Sequence, residues 1–188
     1  ARPTHALGFT RRGGPLGRHP FPSPTQVQNV IRLYGITPGV KVVAYDDAAG
    51  AIASRVWFVL KANGFDDCDV LDGGIGKWVA EGREITNQPP SISTMTDFVV
   101  SPRPDLVLSK AALLARKERS LVLDARVPER YRGETEPIDP RAGHIPGARN
   151  APYTLNLTAG TIPVFRPAAE LRAHFESLGV SAENEPIV

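Results

Sequence analysis

Short apolar segments alternate with amphipathic segments along this chain, and the alternation limits the folds that it can adopt. Val40–Tyr45 and Asp69–Leu71 are short and mostly apolar. Strands of this kind are buried on both faces, as in parallel sheets, whereas half-exposed hairpin strands alternate apolar and polar residues. The pattern therefore predicts an α/β fold in which a mainly parallel sheet is flanked by helices.

Start and stop signals define the predicted helices. Ser23 and Pro24 are favourable at the first positions of a helix, and Gly35 is favourable just after its end. Apolar residues recur at helical spacing between them. Further helices are predicted at Ala51–Asn63, Ile75–Glu81, Ser109 to about Arg119, and Ala168–Leu178. Leu121–Leu123 and Pro186–Val188 are predicted to be strands.

An internal repeat relates the two ends of the chain. Ser23–Val43 and Pro167–Val188 each contain an amphipathic helix, a glycine with an apolar residue after it, a spacer and an apolar pair. The corresponding helix residues are Val27, Ile31 and Tyr34 in the first copy and Leu171, Phe175 and Leu178 in the second. The repeat aligns Val43 with Val188. Asp46 then corresponds to a position three residues beyond the chain end.

Composition changes between the two copies. Residues 86–104 contain four prolines and several serines and threonines, which is typical of a linker. The chain is therefore predicted to contain a first domain at residues 1–85, a linker at 86–104 and a second domain at 105–188. A length of 188 residues is sufficient for two small domains.

Charge and hydropathy give no indication of a nucleic-acid or membrane partner. The formal net charge is +2, and no apolar run is long enough to span a bilayer. The opening segment is locally basic and could contact phosphate, although a solvated loop is the favoured interpretation. Its basic residues are Arg2, Arg11, Arg12 and Arg18.

The single cysteine, Cys68, is predicted to be structural and not a nucleophile. Asp66, Asp67 and Asp69 surround it, and negative neighbours raise the pKa of a thiol. It also lies at the start of a strand, whereas active loops of parallel sheets follow the carboxyl ends of strands. A chain with one cysteine forms no internal disulfide, which is consistent with a reducing cytoplasm.

No metal or cofactor is expected from the sequence. The four histidines lack the spacing of metal ligands. They are His5, His19, His144 and His174. Gly73 and Gly74 lack the following glycine of a dinucleotide-binding fingerprint.

Several motifs together resemble the tandem-domain rhodanese sulfurtransferases, which include the thiosulfate and 3-mercaptopyruvate enzymes. Leu123–Arg126 reads Leu-Asp-Ala-Arg, Arg130–Gly133 reads Arg-Tyr-Arg-Gly in a predicted turn, and Gly143–Ala148 reads Gly-His-Ile-Pro-Gly-Ala in another. These motifs are similar to those of the catalytic second domain. The first half is similar to the non-catalytic first domain, in which an aspartate, here Asp46, replaces the cysteine after a strand. The resemblance covers most of residues 19–188.

The resemblance implies a sulfurtransferase that moves sulfane sulfur from thiosulfate or 3-mercaptopyruvate to a thiophilic acceptor through a cysteine persulfide. It places the nucleophilic cysteine just beyond Val188, so no catalytic residue is expected within these 188 residues. Both rhodanese-like domains are then incomplete, and the chain is truncated at both ends. The partners are a small anionic sulfur donor and the acceptor. The donor-binding arginine is Arg130, with Arg141 as the candidate second arginine and Arg132 as the fallback.

Other residues of these motifs have structural interpretations. Arg126 is expected to pair with Asp124 or another local carboxylate, His144 to make a structural hydrogen bond, and Tyr131 to pack. The acidic residues that follow are expected to form a solvated loop that partners the arginines. They are Glu134, Glu136 and Asp139.

Two other classes of function remain open at this point. One is a catalytically silent rhodanese-like module that binds partners or regulates. The other is a phosphatase of the related fold, which also uses a cysteine in an anion-binding loop. The Arg-Tyr-Arg-Gly and Gly-His-Ile-Pro-Gly motifs favour sulfur transfer over both.

Overall fold

The structure is a computed structural model that describes residues 20–88, 95–116, 120–184 and 186–188. It divides into two compact units, Ala1–Val107 and Leu108–Val188. Each unit contains a pair of parallel strands together with helices, which confirms the predicted α/β class. The finer boundaries, with a linker at residues 86–104, stay a prediction.

Some predictions fall outside the described residues. They concern the basic residues of the opening segment, His5 and His19, and the end of the helix predicted to reach Arg119.

The first unit alternates helices and strands in the predicted order. Its described elements are α1 (Pro24–Leu33), β1 (Val42–Ala44), α2 (Ala53–Ala62), β2 (Cys68–Val70), α3 (Gly74–Ala80) and a 3-10 turn at Pro104–Leu106. β1 and β2 are parallel neighbours, with Val42 opposite Cys68 and Ala44 opposite Val70. A parallel pair needs a crossover between its strands, and α2 supplies it.

Helix α1 begins and ends where the sequence predicts. The Ser23 hydroxyl accepts a hydrogen bond from the Gln26 backbone N–H at 3.3 Å, and the Gln26 side chain accepts one from the Ser23 N–H at 2.8 Å. This reciprocal pair is a capping box, which satisfies two N–H groups that would otherwise lack a partner. Gly35, at φ 67°, follows the helix end.

The core of the first unit lies between the helices and the strand pair. Its most deeply buried residues come from α1, α2 and β2, and they are Val27, Ile31, Ala53, Val59 and Cys68. The extended chain that follows the undescribed residues 89–94 packs on this core. Phe98 contacts Phe65 with ring centroids 5.8 Å apart, and the Ser101 N–H donates to the Asn63 carbonyl at 3.0 Å. Part of the predicted linker is therefore fixed to the first unit.

The second unit contains a smaller strand pair. Its described elements are α4 (Lys110–Arg116), β3 (Leu123–Asp124), α5 (Pro128–Arg132), β4 (Arg149–Asn150), a 3-10 turn at Tyr153–Asn156, and α6 (Ala168–Ser177). β3 pairs in parallel with β4. On its other side, Val122 makes a parallel bridge with Ile187. The predicted strand at Pro186–Val188 therefore has a partner.

Two elements of the second unit differ from the sequence-based expectation. The arginine-rich segment predicted as a turn is the short helix α5, with Pro128 at its first position and Gly133 at its end. Strand β4 was not predicted, because a two-residue strand has no periodicity to detect. It lies beside β3 because the Arg149 N–H donates to the Val122 carbonyl at 2.8 Å and the Ala151 N–H donates to the Asp124 carbonyl at 2.8 Å.

Helices α1 and α6, the two helices of the predicted repeat, end in the same way. After α1, the Ile36 N–H donates to the Ile31 carbonyl at 3.1 Å. After α6, the Val180 N–H donates to the Phe175 carbonyl at 3.0 Å. Gly179, at φ 89°, takes the place of the glycine after α1. This hydrogen bond and a glycine at positive φ define a Schellman-type helix end. The two helices thus end alike, and the repeat itself stays a prediction.

Candidate functional site

The candidate site is built on the carboxyl end of β3. Asp124 ends the strand, and the Arg126 guanidinium donates to its carboxylate, with Nη2–Oδ2 at 2.6 Å and Nε–Oδ1 at 3.0 Å. Arg126 Nη2 also donates to the Gly143 carbonyl at 2.7 Å. Burial raises the pKa of Asp124, but its hydrogen bonds from Arg126 outweigh burial and hold that pKa below the ordinary value. The predicted pairing of Arg126 with Asp124 is confirmed.

The neighbouring strand fixes the backbone of this turn. Asn150, in β4, donates from Nδ2 to the carbonyls of Asp124 at 3.0 Å and Arg126 at 2.9 Å. Because the side chain satisfies two carbonyls at the strand end, the backbone that leads to α5 is held in one conformation.

Arg130, the predicted donor-binding residue, lies on α5 and is paired with two carboxylates. It donates to Glu136 through Nε at 3.1 Å and through Nη2 at 2.7 Å, and it donates to Asp139 through Nη2 at 2.8 Å. Its side chain is 17% exposed, so it is neither fully buried nor a freely solvated turn residue. Donor binding by Arg130 stays a prediction.

The acidic loop differs from the solvated loop expected from the sequence. Glu136 is only 5% exposed, whereas Asp139 is 47% exposed. The hydrogen bond from Arg130 is the largest influence on the pKa of Glu136, and it holds that pKa below its ordinary value although burial opposes it. Pairing of this loop with the arginines is confirmed. The burial of Glu136 was missed, because the sequence shows only its spacing from Arg130.

The other two candidate arginines are in different states. Arg132 donates to Glu134 from Nε at 2.6 Å and from Nη2 at 2.9 Å, and both side chains are about half exposed. Arg141 is exposed and makes no hydrogen bond or ion pair with any residue that the structure describes. An anion could therefore reach Arg141 without displacing a protein carboxylate.

The Gly-His-Ile-Pro-Gly segment is attached to α5 through aromatic side chains. His144 stacks on Tyr131 with ring centroids 3.8 Å apart, and its Nδ1 lies 2.7 Å from the Tyr131 carbonyl. The Tyr131 hydroxyl donates to the Ala148 carbonyl at 2.7 Å. Both residues thus have the structural roles that the sequence analysis favoured.

A cavity of about 260 Å³ lies beside this arrangement within the second unit. Its polar lining comes from Asp124 and Arg126, and its apolar lining includes Leu113, Ile145 and Val188. Small-molecule sites are commonly concave, mostly apolar and provided with a few fixed polar groups. The cavity lies at the carboxyl end of β3, where ligands of parallel sheets usually bind.

Cys68 has the environment of a structural thiol. It is 1% exposed, and it is the first residue of β2. Burial, with a smaller contribution from the charge of Asp69, raises the pKa of its thiol to about 11. The nucleophilic form is a thiolate, which this thiol does not supply at neutral pH. The burial and the raised pKa are those expected of a structural thiol, and the lack of a catalytic role stays a prediction.

In the first unit, the loop between β1 and α2 surrounds the Asp46 carboxylate with backbone N–H groups. Oδ1 accepts from Ala48 at 2.9 Å and from Gly50 at 2.8 Å, and Oδ2 accepts from Ile52 and Ala53 at 2.8 Å each. Successive N–H groups that point inward at a strand-to-helix turn bind anions. Here the anion is the protein's own side chain.

Among the residues that the structure describes, no group of three or more histidine, cysteine, aspartate or glutamate side chains could hold a metal ion. No helix in the same residues is long and apolar enough to cross a membrane.

Comparisons with known proteins identify homologues of the chain. A Pseudomonas aeruginosa protein named as a probable 3-mercaptopyruvate sulfurtransferase is 41% identical over 170 residues, which are 89% of this chain and 59% of that protein. A thiosulfate sulfurtransferase of Gallus gallus is 32% identical over 144 residues, which are 73% of this chain and 49% of that protein. The chain thus spans about half of the length of these relatives, or slightly more. No protein-family model matches it.

A solved structure has the same fold. The Escherichia coli protein SseA, described as a 3-mercaptopyruvate sulfurtransferase with the rhodanese fold, superposes with a TM-score of 0.73 at 25% identity. The match covers 88% of this chain and 62% of SseA.

Proposed function

The chain is a homologue of the 3-mercaptopyruvate and thiosulfate sulfurtransferases, and on this basis we propose that the whole protein transfers sulfane sulfur from such a donor to a thiophilic acceptor. The observation that carries the proposal is the 41% identity with the Pseudomonas aeruginosa protein, which extends over 170 residues and includes both units. We further propose that the first unit corresponds to a non-catalytic rhodanese domain and the second to part of a catalytic one.

The reaction requires a nucleophilic thiolate. The thiolate attacks the outer sulfur of thiosulfate or the sulfur of 3-mercaptopyruvate, and the bond from that sulfur to the leaving sulfite or pyruvate enolate breaks. A cysteine persulfide results, and a thiophile then removes its outer sulfur. Since Cys68 is buried and its thiol pKa is raised to about 11, we propose that the persulfide forms on a cysteine outside these 188 residues.

The side chains of the second unit suit the binding of an anionic donor. Sulfonate and carboxylate groups are bound most specifically by a guanidinium that presents two N–H groups to two oxygens. Arg130 is oriented by Glu136, and Arg141 is exposed. We therefore assign donor binding to Arg130, with Arg141 as the second cation and Arg132, which is paired with Glu134, as the weaker candidate.

The loop around Asp46 is an anion-binding loop of the kind that this mechanism requires around the reactive cysteine. Its four N–H groups bind a carboxylate in the first unit. The repeat predicts a loop of the same kind after Val188, where the N–H groups would stabilise a thiolate and then the persulfide. A single cysteine in the chain is consistent with a reducing compartment, and a cytoplasmic location is part of the proposal.

The test is a steady-state assay of the full-length protein with each donor. Thiosulfate with cyanide should give thiocyanate, and 3-mercaptopyruvate with a thiol should give pyruvate. Turnover with either donor above the uncatalysed rate supports the proposal. Absence of turnover with both donors, from a folded protein, contradicts it and favours the silent binding module. Hydrolysis of a phosphate ester in the same preparation would instead favour the phosphatase.

A further inference from the structure

We propose that Asp139 is an internal competitor of the anionic donor, and that the donor binds Arg130 by displacing the Asp139 carboxylate. The inference rests on the proposed function, because it assigns a specificity role at the same site. It follows from which N–H groups of Arg130 each of the two carboxylates, Glu136 and Asp139, binds.

A guanidinium has two edges that can bind an oxyanion through two N–H groups: the side formed by Nε and Nη2, and the end formed by Nη1 and Nη2. Glu136 occupies the side, since it accepts from Nε at 3.1 Å and from Nη2 at 2.7 Å and 3.0 Å. Asp139 accepts from Nη2 alone, at 2.8 Å. Among the described residues, Nη1 of Arg130 has no partner. The end of the guanidinium is therefore only half used.

Glu136 is fixed in its position. Its Oε1 also accepts from the backbone N–H of Ile138 at 3.1 Å and of Asp139 at 3.0 Å, and its Oε2 lies 3.5 Å from Arg126 Nη1. The Glu136 side chain is only 5% exposed, so water could not replace these hydrogen bonds if the carboxylate moved away. Its displacement would therefore be costly. Glu136 therefore orients Arg130 permanently.

Asp139 is held far less firmly. Its side chain is 47% exposed, and among the described residues its carboxylate accepts a hydrogen bond from Arg130 alone. Exposed ion pairs are weak, because water solvates both charges when they separate. The Asp139 N–H stays bound to Glu136, so the side chain can rotate away while the backbone remains in place.

A donor that presents two oxygens would gain what Asp139 does not provide. Its sulfonate or carboxylate group can accept from Nη1 and Nη2 together, whereas Asp139 uses Nη2 only. An anion that binds through one oxygen gains nothing over Asp139, so the competition disfavours it. A sulfur donor with two oxygens must still displace the negative charge of Asp139. Removing that charge should therefore strengthen donor binding and leave the chemical step unchanged.

The experiment compares Asp139→Asn with Glu129→Gln in the full-length protein. Glu129 is an exposed acid on α5, next to Arg130 in sequence, and its side chain makes no hydrogen bond in the described part of the chain. Both variants remove one nearby negative charge. We expect the donor KM of Asp139→Asn to fall about two- to fivefold with kcat unchanged, as for loss of a weak competing pair. Glu129→Gln should keep the wild-type KM, and Asp139→Glu should restore it.

A direct binding measurement separates this inference from the proposed function. Sulfate, which does not react, is titrated into the full-length protein while the Arg130 Nε–Hε signal is followed by NMR, with Arg130→Lys used to assign the signal. Tighter sulfate binding in Asp139→Asn than in wild type and Glu129→Gln supports the inference even if the protein has no turnover. Equal sulfate affinity in the three proteins, or an equal fall in KM in the two charge variants, overturns it.

Discussion

The carboxylate of Asp46 accepts a hydrogen bond from the backbone N–H of Ala53 at 2.8 Å, which ties the end of β1 to the first residue of α2. The same carboxylate accepts from three other N–H groups of the loop, which belong to Ala48, Gly50 and Ile52. A single side chain thus organises the whole strand-to-helix connection, and its negative charge lies at the N-terminus of α2.

Asp46→Asn should destabilise the first unit. The side-chain NH2 of asparagine would replace one carboxylate oxygen, which now accepts from two backbone N–H groups. At least two hydrogen bonds to a charged group are therefore lost. We expect the free energy of unfolding to fall by about 2–4 kcal/mol. Urea denaturation of the full-length protein measures it. Asp47→Asn is the matched control, since Asp47 is exposed and makes no hydrogen bond in the described residues. Equal stability of the two variants would refute this role of Asp46.

The contribution of Asp46 to stability should depend on pH. Burial raises the pKa of Asp46, but the four N–H groups outweigh it and hold the pKa below its ordinary value. A carboxyl whose pKa is lower in the folded state stabilises the fold above its unfolded pKa, about 4, and loses this contribution as pH falls through the folded pKa. The stability difference between wild type and Asp46→Asn should therefore shrink below about pH 4. A difference that stays constant down to pH 3 would contradict this account.

Cys68 should be inert in the native protein. Its burial and a thiol pKa of about 11 leave almost no thiolate near neutral pH. We expect iodoacetamide to label it only after denaturant is added.

The 188-residue chain should form no thiocyanate from thiosulfate and cyanide above the uncatalysed rate. Turnover that Cys68→Ser abolishes would show that the thiol is catalytic.

The sequence predicted the order of the larger elements because their signals are local. Ser23 and Gly35 delimit α1, and the apolar segments around Val43 and Val70 identify the two strands of the first unit. Strand β4 could not be predicted in this way, because its two residues are strand only through pairing with β3. Such pairing is a tertiary contact that leaves no periodic pattern.

Only part of the site was predictable. The spacing of Asp124 and Arg126 indicated their pair, whereas donor binding by Arg130 came from the resemblance and stays a prediction. The unequal roles of Glu136 and Asp139 were not predictable, because both are acids in one loop and only the fold buries the first and exposes the second.

Arg130→Ala should weaken donor use by the full-length protein. Loss of charge-assisted hydrogen bonds worth about 1.5–3 kcal/mol corresponds to a fall of about 10- to 150-fold in kcat/KM. Arg126 remains 3.5 Å from Glu136, so this buried carboxylate keeps a cationic neighbour and the fold should persist. Arg172→Ala, on α6, is the control for loss of one exposed arginine. Unchanged donor kinetics in Arg130→Ala would exclude Arg130 from the site.

The most direct test is the intact mass of the full-length protein after exposure to thiosulfate or 3-mercaptopyruvate and removal of excess donor. The account predicts the gain of one sulfur atom, on a cysteine other than Cys68, and its loss as thiocyanate when cyanide is added. Peptide mapping locates the modified residue, and Arg130→Ala should slow the modification. An unchanged mass under conditions in which the protein is folded, or a sulfur atom located on Cys68, would contradict the account.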